Sequence, residues 1–211
     1  MSYDADFYKR VAADSTRTAR RILPWLFHIH KPLTLVDVGC GTGAWLSIAK
    51  ELGAWVTGID MPEVQNHPLL FPQDRFIPTD LEAGIECEDH FDMALCIEVG
   101  EHLTPVAGTC LVSWLCRHAN IIVWSAAIPQ QVGVNHINEQ WPSYWQPLFN
   151  MHKFYVDLAI RDQFWNDPEV GICVRQNIMV YSKFWCAPHT SMLNVVHPDI
   201  YCRKVGITYE G

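Results

Sequence analysis

Two acids and two histidines near the middle of the sequence have the residue types and the spacing of a metal site. Glu98, Glu101 and His102 stand at positions i, i+3 and i+4, so on one helical turn they would project from a single face. His136 follows further along the chain. Carboxylates together with imidazoles admit Mn²⁺, Mg²⁺, Fe²⁺ or Co²⁺, and Mn²⁺ is a good compromise. The sequence therefore predicts a divalent metal site, with general-base catalysis by a free His102 or His136 as the alternative.

These four residues follow two segments that have the character of buried strands. Residues 91–97 lead directly to Glu98, and residues 120–125 precede the segment that carries His136. A helix is predicted between them over residues 105–118. Because parallel strands end at the same rim of a sheet, we expect His136 to reach the point on which the other three side chains converge.

A glycine-rich turn is the second feature that predicts ligand binding. Residues 33–38 are predicted to form a buried strand, Gly39, Gly41 and Gly43 follow at alternate positions, and residues 44–52 have helical character. Glycine permits a sharp turn and a close approach of backbone to ligand, and the helix that begins there has free N–H groups. The spacing differs from the dinucleotide fingerprint, and the Lys-Ser/Thr of a phosphate loop is absent. The alternative is an ordinary tight turn between strand and helix.

The pattern Asp37-x-Gly39-x-Gly41-x-Gly43 resembles motif I of the class I S-adenosylmethionine-dependent methyltransferases. This resemblance implies that the glycines pack against the methionine end of the cofactor and that Asp37 orients its amino group through the turn. Asp60 ends the next predicted strand, at the distance along the chain from which an acid reaches ribose hydroxyls in Rossmann-like folds. A helix-cap or turn aspartate is the alternative for Asp60.

The resemblance also implies an adenine site after the short strand predicted at residues 76–78, where this family often places an acid. The cofactor-binding set expected on this basis is Asp37, Gly39, Cys40, Gly41, Gly43, Asp60, Met61, Asp80, Leu81 and Ile97.

The Glu98-x-x-Glu101-His102 stretch with the later His136 resembles the metal site of the small-RNA 2′-O-methyltransferases, which hold magnesium or manganese. A similar Glu-Val-x-Glu-His stretch occurs in the quinone-biosynthesis O-methyltransferases. The resemblance implies that Glu98, Glu101, His102 and His136 are both the metal ligands and the catalytic residues. In family members without a metal, a Glu-His pair after the fourth strand caps the helix or orients the substrate.

Strands that alternate with helices predict an α/β fold with a mostly parallel sheet. The resemblance specifies the Rossmann-like class I methyltransferase fold, with seven strands, an antiparallel edge strand and helices on both faces. Residues 154–157 and 178–181 are the predicted late antiparallel pair, and residues 141–150 a helix or irregular aromatic segment. We expect one domain, with an N-terminal helical cover over residues 1–30 that breaks near Pro24. The core spans residues 31–185, and the pattern assigns no structure to residues 186–211.

Composition narrows the possible partners. The chain has 211 residues, 49% of them hydrophobic, and a formal net charge of −8. An acidic chain is a poor electrostatic match for nucleic acid. The sequence has eight cysteines but no Cys-x-x-Cys pair, so a zinc ribbon is not predicted. Scattered cysteines of this kind fit a protein of the reducing cytoplasm. The sequence shows no signal peptide and no apolar run long enough to span a membrane.

The acceptor is predicted from aromatic residues and from a further resemblance. Residues 141–145, with Trp165 and Trp185, offer flat faces that suit sugar rings as well as bases, although core packing explains them equally. Residues 135–149, followed by Gln176-Asn177, resemble methyltransferases of glycan and surface-polysaccharide assembly.

The sequence therefore predicts an S-adenosylmethionine-dependent O-methyltransferase that uses Mn²⁺ or Mg²⁺ and methylates a sugar hydroxyl of a glycan or nucleotide sugar. The alternatives are an RNA 2′-O-methyltransferase, a quinone or phenol O-methyltransferase, and a non-catalytic cofactor-binding module.

Overall fold

The computed structural model of the chain describes residues 5–183 and 193–206. Seven strands in this part of the chain form one sheet. They are β1 (Thr34–Val38), β2 (Trp55–Asp60), β3 (Phe76–Pro78), β4 (Phe91–Ile97), β5 (Ala119–Ser125), β6 (Tyr155–Asp157) and β7 (Met179–Ser182). Their order across the sheet is β3-β2-β1-β4-β5-β7-β6. The first five strands pair in parallel, and β7 pairs antiparallel with both β5 and β6.

This topology confirms the predicted fold, the Rossmann-like fold of class I methyltransferases, including the late antiparallel pair at one side of the sheet. The reversed strand is β7, and β6 forms the edge outside it. The sheet order also places the ends of β1 and β4 side by side at its centre, because β1 pairs with β4 from Leu35↔Met93 to Asp37↔Leu95. The segments that follow these two strands carry the glycine turn and the acids of the predicted metal site.

Helices cover both faces of the sheet. They are α1 (Ala5–His30), α2 (Ala44–Glu51), α3 (Pro105–His118), α4 (Pro142–Met151), α5 (Ala159–Phe164), α6 (Ile172–Asn177) and α7 (Pro198–Val205). Short 3₁₀ turns occur at Pro62–Asn66, Gln73–Arg75 and Gly100–His102. Side chains of α3 and α4 share one buried cluster with the sheet, and those of α1, α2 and α5 share the other. A central strand such as β4 is therefore buried on both faces, which explains the continuous apolar run over its residues 93–97.

The predicted break of the first helix near Pro24 is wrong, because α1 continues through this proline to His30. A proline inside a helix removes one backbone hydrogen bond and costs about 3 kcal/mol. The side chains of Ile22, Leu23 and Leu26 on either side of Pro24 are fully buried. Packing of these side chains in the buried cluster that α1 shares with α2 and the sheet offsets that cost and keeps the helix continuous.

Three helices were not predicted. α5 and α6 are six residues long each, too short for a helical period to show in the sequence. α7 lies in the stretch to which the pattern assigned no structure. Trp185 and residues 186–192 and 207–211 lie outside the described residues. No helix in the described part of the chain is both long enough and apolar enough to cross a membrane.

Candidate active site

The glycine turn after β1 is built so that its central residue faces open space. Gly39, Gly41 and Gly43 all have positive φ, at 77°, 52° and 88°. A Cβ atom on Gly39 would lie 2.3 Å from the Val99 side chain, and one on Gly43 would lie 2.1 Å from the Phe71 ring. A Cβ on Gly41 would meet nothing within 4 Å. The first and third glycines are therefore required by packing, whereas Gly41 borders a space that a ligand can approach closely.

Asp60, at the end of β2, is hydrogen-bonded to the backbone of this turn. Its carboxylate accepts a hydrogen bond from the N–H of Gly41 at 2.6 Å and one from the N–H of Met61 at 2.7 Å. Burial raises the pKa of Asp60, and these two N–H groups oppose part of the rise. The predicted ribose-binding acid thus lies against the glycine turn and remains partly exposed.

Asp37 is buried directly beneath the turn, in the last part of β1. Burial raises the pKa of its carboxyl to about 8, and the nearby Asp60 carboxylate adds to the rise. Without a ligand, this carboxyl therefore binds a proton near neutral pH. A cation placed against it would favour the ionised form, which is what the predicted role toward a cofactor amino group requires.

The other predicted cofactor residues lie at different depths around this rim. Cys40 is buried in the turn, and its thiol donates to the carbonyl oxygen of Gly41 at 3.3 Å. Met61 is exposed next to Asp60, and Ile97 is partly buried at the end of β4. Leu81 packs in the core with α3. Their contacts with a cofactor remain predictions.

Asp80 is exposed beyond β3, where its carboxylate accepts a hydrogen bond from the N–H of Glu82 at 3.0 Å. It lines an open groove of about 520 Å³ with other residues between 77 and 89. Its predicted contact with the adenine amino group remains a prediction.

The segment after β4 does not form the single helical turn that the sequence suggested. Glu98 has a left-handed φ of 55°, and a 3₁₀ turn begins only at Gly100. The backbone therefore changes direction between Glu98 and Glu101, and the two side chains do not share one helical face. The expected arrangement of the three side chains on one helical face is therefore wrong for Glu98. Glu101 and His102 do share the short 3₁₀ turn.

Glu98 instead belongs to a polar network that joins the ends of β4, β5 and α6. Its Oε1 accepts hydrogen bonds from the Ser125 hydroxyl and from Nδ2 of Asn177, the latter at 3.1 Å. Its Oε2 accepts one from Nε2 of Gln131 at 3.0 Å, and Asn177 also donates to Gln131 at 2.9 Å. Ser125, Gln131 and Asn177 were not among the predicted site residues. The chain separation between these partners left no sequence signal.

Glu101, His102 and His136 do come together, as predicted. One ligand atom from each of the three lies within 4.8 Å of the others, and in the described part of the chain no other group of His, Cys, Asp or Glu meets this condition. The rings of His102 and His136 meet edge to face with their centroids 4.9 Å apart. Nε2 of His136 lies 4.0 Å from Oε1 of Glu101.

Glu101 has the most unusual environment in this group. It is 0% exposed, and neither carboxylate oxygen has a hydrogen-bond partner. Burial raises its pKa to about 9, and the charges of Glu98 and Glu139 add to the rise. The nearby backbone N–H groups of Glu101 and Ala127 oppose it, although neither meets the geometry of a hydrogen bond to the carboxylate. A buried carboxylate without partners is costly unless a cation compensates it.

The two histidines are suited to coordinate a cation. Burial lowers the pKa of His102, and the neighbouring His136 lowers it further, although a backbone hydrogen bond with Asn135 opposes this. The lowered pKa favours the neutral ring. Neutral imidazole is the form that binds a metal or accepts a proton. Nδ1 of His136 lies 2.9 Å from Oε1 of Glu139, and such an outer carboxylate partner is typical of metal-ligating histidines. Glu101, His102 and His136 therefore fit a divalent ion by donor type, burial and outer partner.

The loop between β5 and α4 holds His136 against this group through its backbone. The N–H groups of Ile137 and Asn138 both donate to the carbonyl oxygen of Glu101, at 2.9 and 3.0 Å. Val132 and Ile137 in this loop are 72% and 62% exposed. Large apolar side chains thus stand in solvent on the loop that carries a predicted ligand.

The aromatic residues predicted to line an acceptor pocket mostly serve packing. Trp145 is 1% exposed and packs on Trp124 with ring centroids 4.9 Å apart. Trp165 packs against His197, with ring centroids 4.6 Å apart. Trp141, Tyr144 and Trp165 are partly exposed, although the Tyr144 ring also packs edge to face on Trp145.

The two halves of the candidate site meet at Gly39, whose missing side chain leaves room for Val99 of the loop after β4. The sequence profile of the methyltransferase domain family matches residues 8–165, which contain both halves. The chain belongs to this family.

Two curated relatives match part of the methyltransferase. It is 34% identical to a ubiquinone biosynthesis O-methyltransferase of Methylobacterium nodulans over 96 residues, which are 43% of this chain and 36% of that relative. The corresponding enzyme of Methylobacterium sp. strain 4-46 is 33% identical over 81 residues, 36% of this chain and 32% of the relative. The matches thus span well under half the length of either curated relative.

Solved structures share the fold at low identity. Magnesium protoporphyrin IX methyltransferase of Synechocystis PCC 6803, with bound S-adenosylmethionine, aligns with a TM-score of 0.54 and 18% identity over 74% of this chain and 77% of that one. The putative methyltransferase in complex with the Trm112 activator of Haloferax volcanii aligns with a TM-score of 0.61 and 13% identity, over 85% of this methyltransferase and 94% of that chain.

Proposed function

We propose that this methyltransferase transfers the methyl group of S-adenosylmethionine to a hydroxyl oxygen, with a divalent ion held by Glu101, His102 and His136. The observation that carries the proposal is the buried, unpartnered carboxylate of Glu101 beside two imidazoles. The family membership of residues 8–165 and the open space at Gly41 support the cofactor.

The methyl sulfonium of the cofactor is already activated, so catalysis consists mainly of aligning the acceptor oxygen for in-line attack. An ion bound to the three ligands would lower the pKa of an acceptor hydroxyl and hold two neighbouring oxygens of the acceptor. The chain itself contributes acids for the cofactor through Asp37 and Asp60. If His102 is not a ligand, its neutral ring is the base that accepts the hydroxyl proton.

A hydroxyl with a second oxygen on the adjacent carbon is the acceptor that suits this site. A sugar diol fulfils this requirement, and we propose a sugar hydroxyl of a glycan or nucleotide sugar as the first acceptor class. The net charge of −8 favours it over a polyanionic RNA. Trp141 and Tyr144, both partly exposed, offer ring faces for a sugar.

A phenol with a neighbouring oxygen is the second candidate acceptor, and two observations favour it. The curated relatives that the chain matches are named ubiquinone biosynthesis O-methyltransferases. The exposed Val132 and Ile137 beside His136 offer apolar contacts that suit an aromatic acceptor.

The test is methyl transfer from labelled S-adenosylmethionine to three panels: sugars and nucleotide sugars, catechols and other phenols, and short RNA. Each panel is run in EDTA and then with Mg²⁺, Mn²⁺, Fe²⁺ or Co²⁺ restored. We expect transfer to a vicinal diol or catechol that stops in EDTA and returns with one of the ions. Full activity in EDTA would reject the metal, and salt-sensitive transfer to RNA alone would reject both acceptor classes.

A further inference from the structure

One carboxylate outside the ligand group holds both the ring of His136 and the loop that carries it. Oε1 of Glu139 lies 2.9 Å from Nδ1 of His136 and accepts the N–H of Val132 at 2.7 Å. Oε2 of Glu139 accepts the N–H of Gln130 at 2.7 Å. We propose that Glu139 is a positioning residue that keeps the proton of His136 on Nδ1, so that the lone pair of Nε2 faces Glu101.

The hydrogen-bonding capacity of the groups determines the position of this proton. An ionised carboxylate only accepts hydrogen bonds, so Nδ1 of His136 must be the donor in its contact with Glu139. Two backbone N–H groups donate to the Glu139 carboxylate at 2.7 Å each, and donors of this kind stabilise its ionised form. In the neutral form of the ring, which carries a single N–H, this proton is therefore on Nδ1 and Nε2 has none. That atom lies 4.0 Å from Oε1 of Glu101.

The backbone of the loop needs the same carboxylate. Gln130, Val132 and Asn135 have left-handed φ values of 69°, 57° and 58°. This conformation is unfavourable for a residue that carries a Cβ atom, less so for asparagine than for glutamine or valine. Two of the three strained residues donate their N–H groups to Glu139. Glu139 therefore compensates the strain of the loop at the same time as it orients the ring of His136.

The inference concerns the chain's own hydrogen bonds, and it rests on the proposed function only in the use made of Nε2. A purely structural role would hold the loop without selecting a tautomer. The position of the proton on His136 therefore distinguishes a positioning residue from a loop brace.

The first measurement is ¹⁵N NMR of histidine-labelled protein without metal, with His136 assigned by its absence in His136→Gln. We expect the Nδ1–H tautomer for His136 in the native protein at pH 8. In Glu139→Gln, an amide nitrogen that cannot accept a hydrogen bond replaces one carboxylate oxygen. In one orientation it faces the N–H of Gln130, and in the other it faces both the N–H of Val132 and Nδ1 of His136. At least one of the three donors therefore loses its acceptor. We expect this variant to show a mixed or reversed tautomer and a roughly 10- to 100-fold loss of Mn²⁺ affinity by calorimetry.

Glu82→Gln is the matched control. The Glu82 carboxylate accepts hydrogen bonds from the N–H and the hydroxyl of Thr104 at the start of α3, at 2.7 and 2.9 Å, and it is not part of the ligand group. We expect this variant to leave the His136 tautomer and the Mn²⁺ affinity at native values.

The proposal is overturned if native His136 carries its proton on Nε2, a result that needs no variant to fold. It is also overturned if a folded Glu139→Gln keeps both the tautomer and the Mn²⁺ affinity. A tautomer that depends on Glu139 in a protein that neither binds Mn²⁺ nor transfers methyl groups would support the positioning role and reject the proposed function instead.

Discussion

Nε2 of His136 lies 4.0 Å from Oε1 of Glu101, a carboxylate oxygen that is buried and has no hydrogen-bond partner. The two residues come from loops after different strands, and the backbone of Ile137 ties these loops together by donating to the carbonyl oxygen of Glu101 at 2.9 Å. The two loops therefore bring an imidazole nitrogen and a buried acid within 4.0 Å of each other, and these are donor types that suit a divalent ion.

The first prediction separates the proposed ligands from Glu98. Glu101→Ala and His136→Ala each remove a ligand, so we expect Mn²⁺ affinity to fall by at least ~10-fold, as the loss of even an outer partner does. Glu98→Gln leaves the ligand group intact and disturbs the network with Ser125 and Asn177, so we expect measurable Mn²⁺ binding and a lower Tm. Calorimetry and thermal unfolding measure the two effects. Mn²⁺ binding lost in Glu98→Gln and retained in Glu101→Ala would contradict the assignment.

A second prediction uses the open space at Gly41. A methyl group there meets no protein atom within 4 Å, so Gly41→Ala should fold, at a cost of roughly 1–2 kcal/mol for its left-handed φ. The added methyl group would occupy the space through which the cofactor approaches the backbone. We therefore expect the affinity for S-adenosylhomocysteine to fall at least ~10-fold, which corresponds to about 1.4 kcal/mol of binding free energy. Gly53→Ala is the control, since Gly53 also has positive φ and open surroundings but follows α2. Equal affinities in the two variants would remove Gly41 from the cofactor site.

The third prediction concerns Gly133, which packs on the ring of His136. A Cβ on Gly133 would lie 2.1 Å from Nε2 and 2.4 Å from Cε1 of this ring, so Gly133→Ala must displace the imidazole. We expect Mn²⁺ affinity to fall by roughly the 10- to 100-fold typical of a disturbed metal ligand. Gly171→Ala, whose Cβ would make an ordinary 3.4 Å contact with Thr18, is the control and should keep native affinity. Native Mn²⁺ affinity in Gly133→Ala would show that His136 is not a ligand.

The fourth prediction is a pH dependence of stability that originates from Asp37. Its pKa in the folded protein is raised to about 8, so the folded state holds this proton more tightly than the unfolded state does. The resulting stabilisation is present at low pH and is lost as pH rises through the folded pKa. Between pH 7 and pH 9 the free energy of unfolding should therefore fall, and a loss of 1–2 kcal/mol corresponds to a Tm lower by about 2–8 °C.

Asp37→Asn tests the origin of this effect, because it removes the titrating proton while keeping the shape of the side chain. Glu101, with its pKa raised to about 9, contributes in the same direction. We therefore expect the slope of Tm against pH to be reduced in the variant but not abolished. An unchanged slope in thermal unfolding of the ligand-free protein would show that Asp37 is not the responsible group.

The sequence by itself determined the fold and predicted the two loops of the candidate site, namely the glycine turn after β1 and the segment after β4. The pattern of apolar strands, the three alternating glycines and Asp60 at the end of the second predicted strand predicted the class I methyltransferase topology, and the structure confirmed it. Strands β3 and β4 and helix α3 have the predicted bounds. These features are local, since each depends on side-chain periodicity or turn chemistry within a short segment, and local signals can be read without the tertiary structure.

Only the tertiary structure decided which acid lies beside the two histidines of the candidate metal site. Spacing grouped Glu98 with Glu101, but the left-handed backbone at Glu98 directs its carboxylate to Ser125, Gln131 and Asn177. The role of Glu139 depends on a loop whose conformation places His136 and two backbone N–H groups around one carboxylate. These relationships arise from backbone conformation at single residues and from contacts between distant segments, and neither leaves a periodic signal in the sequence.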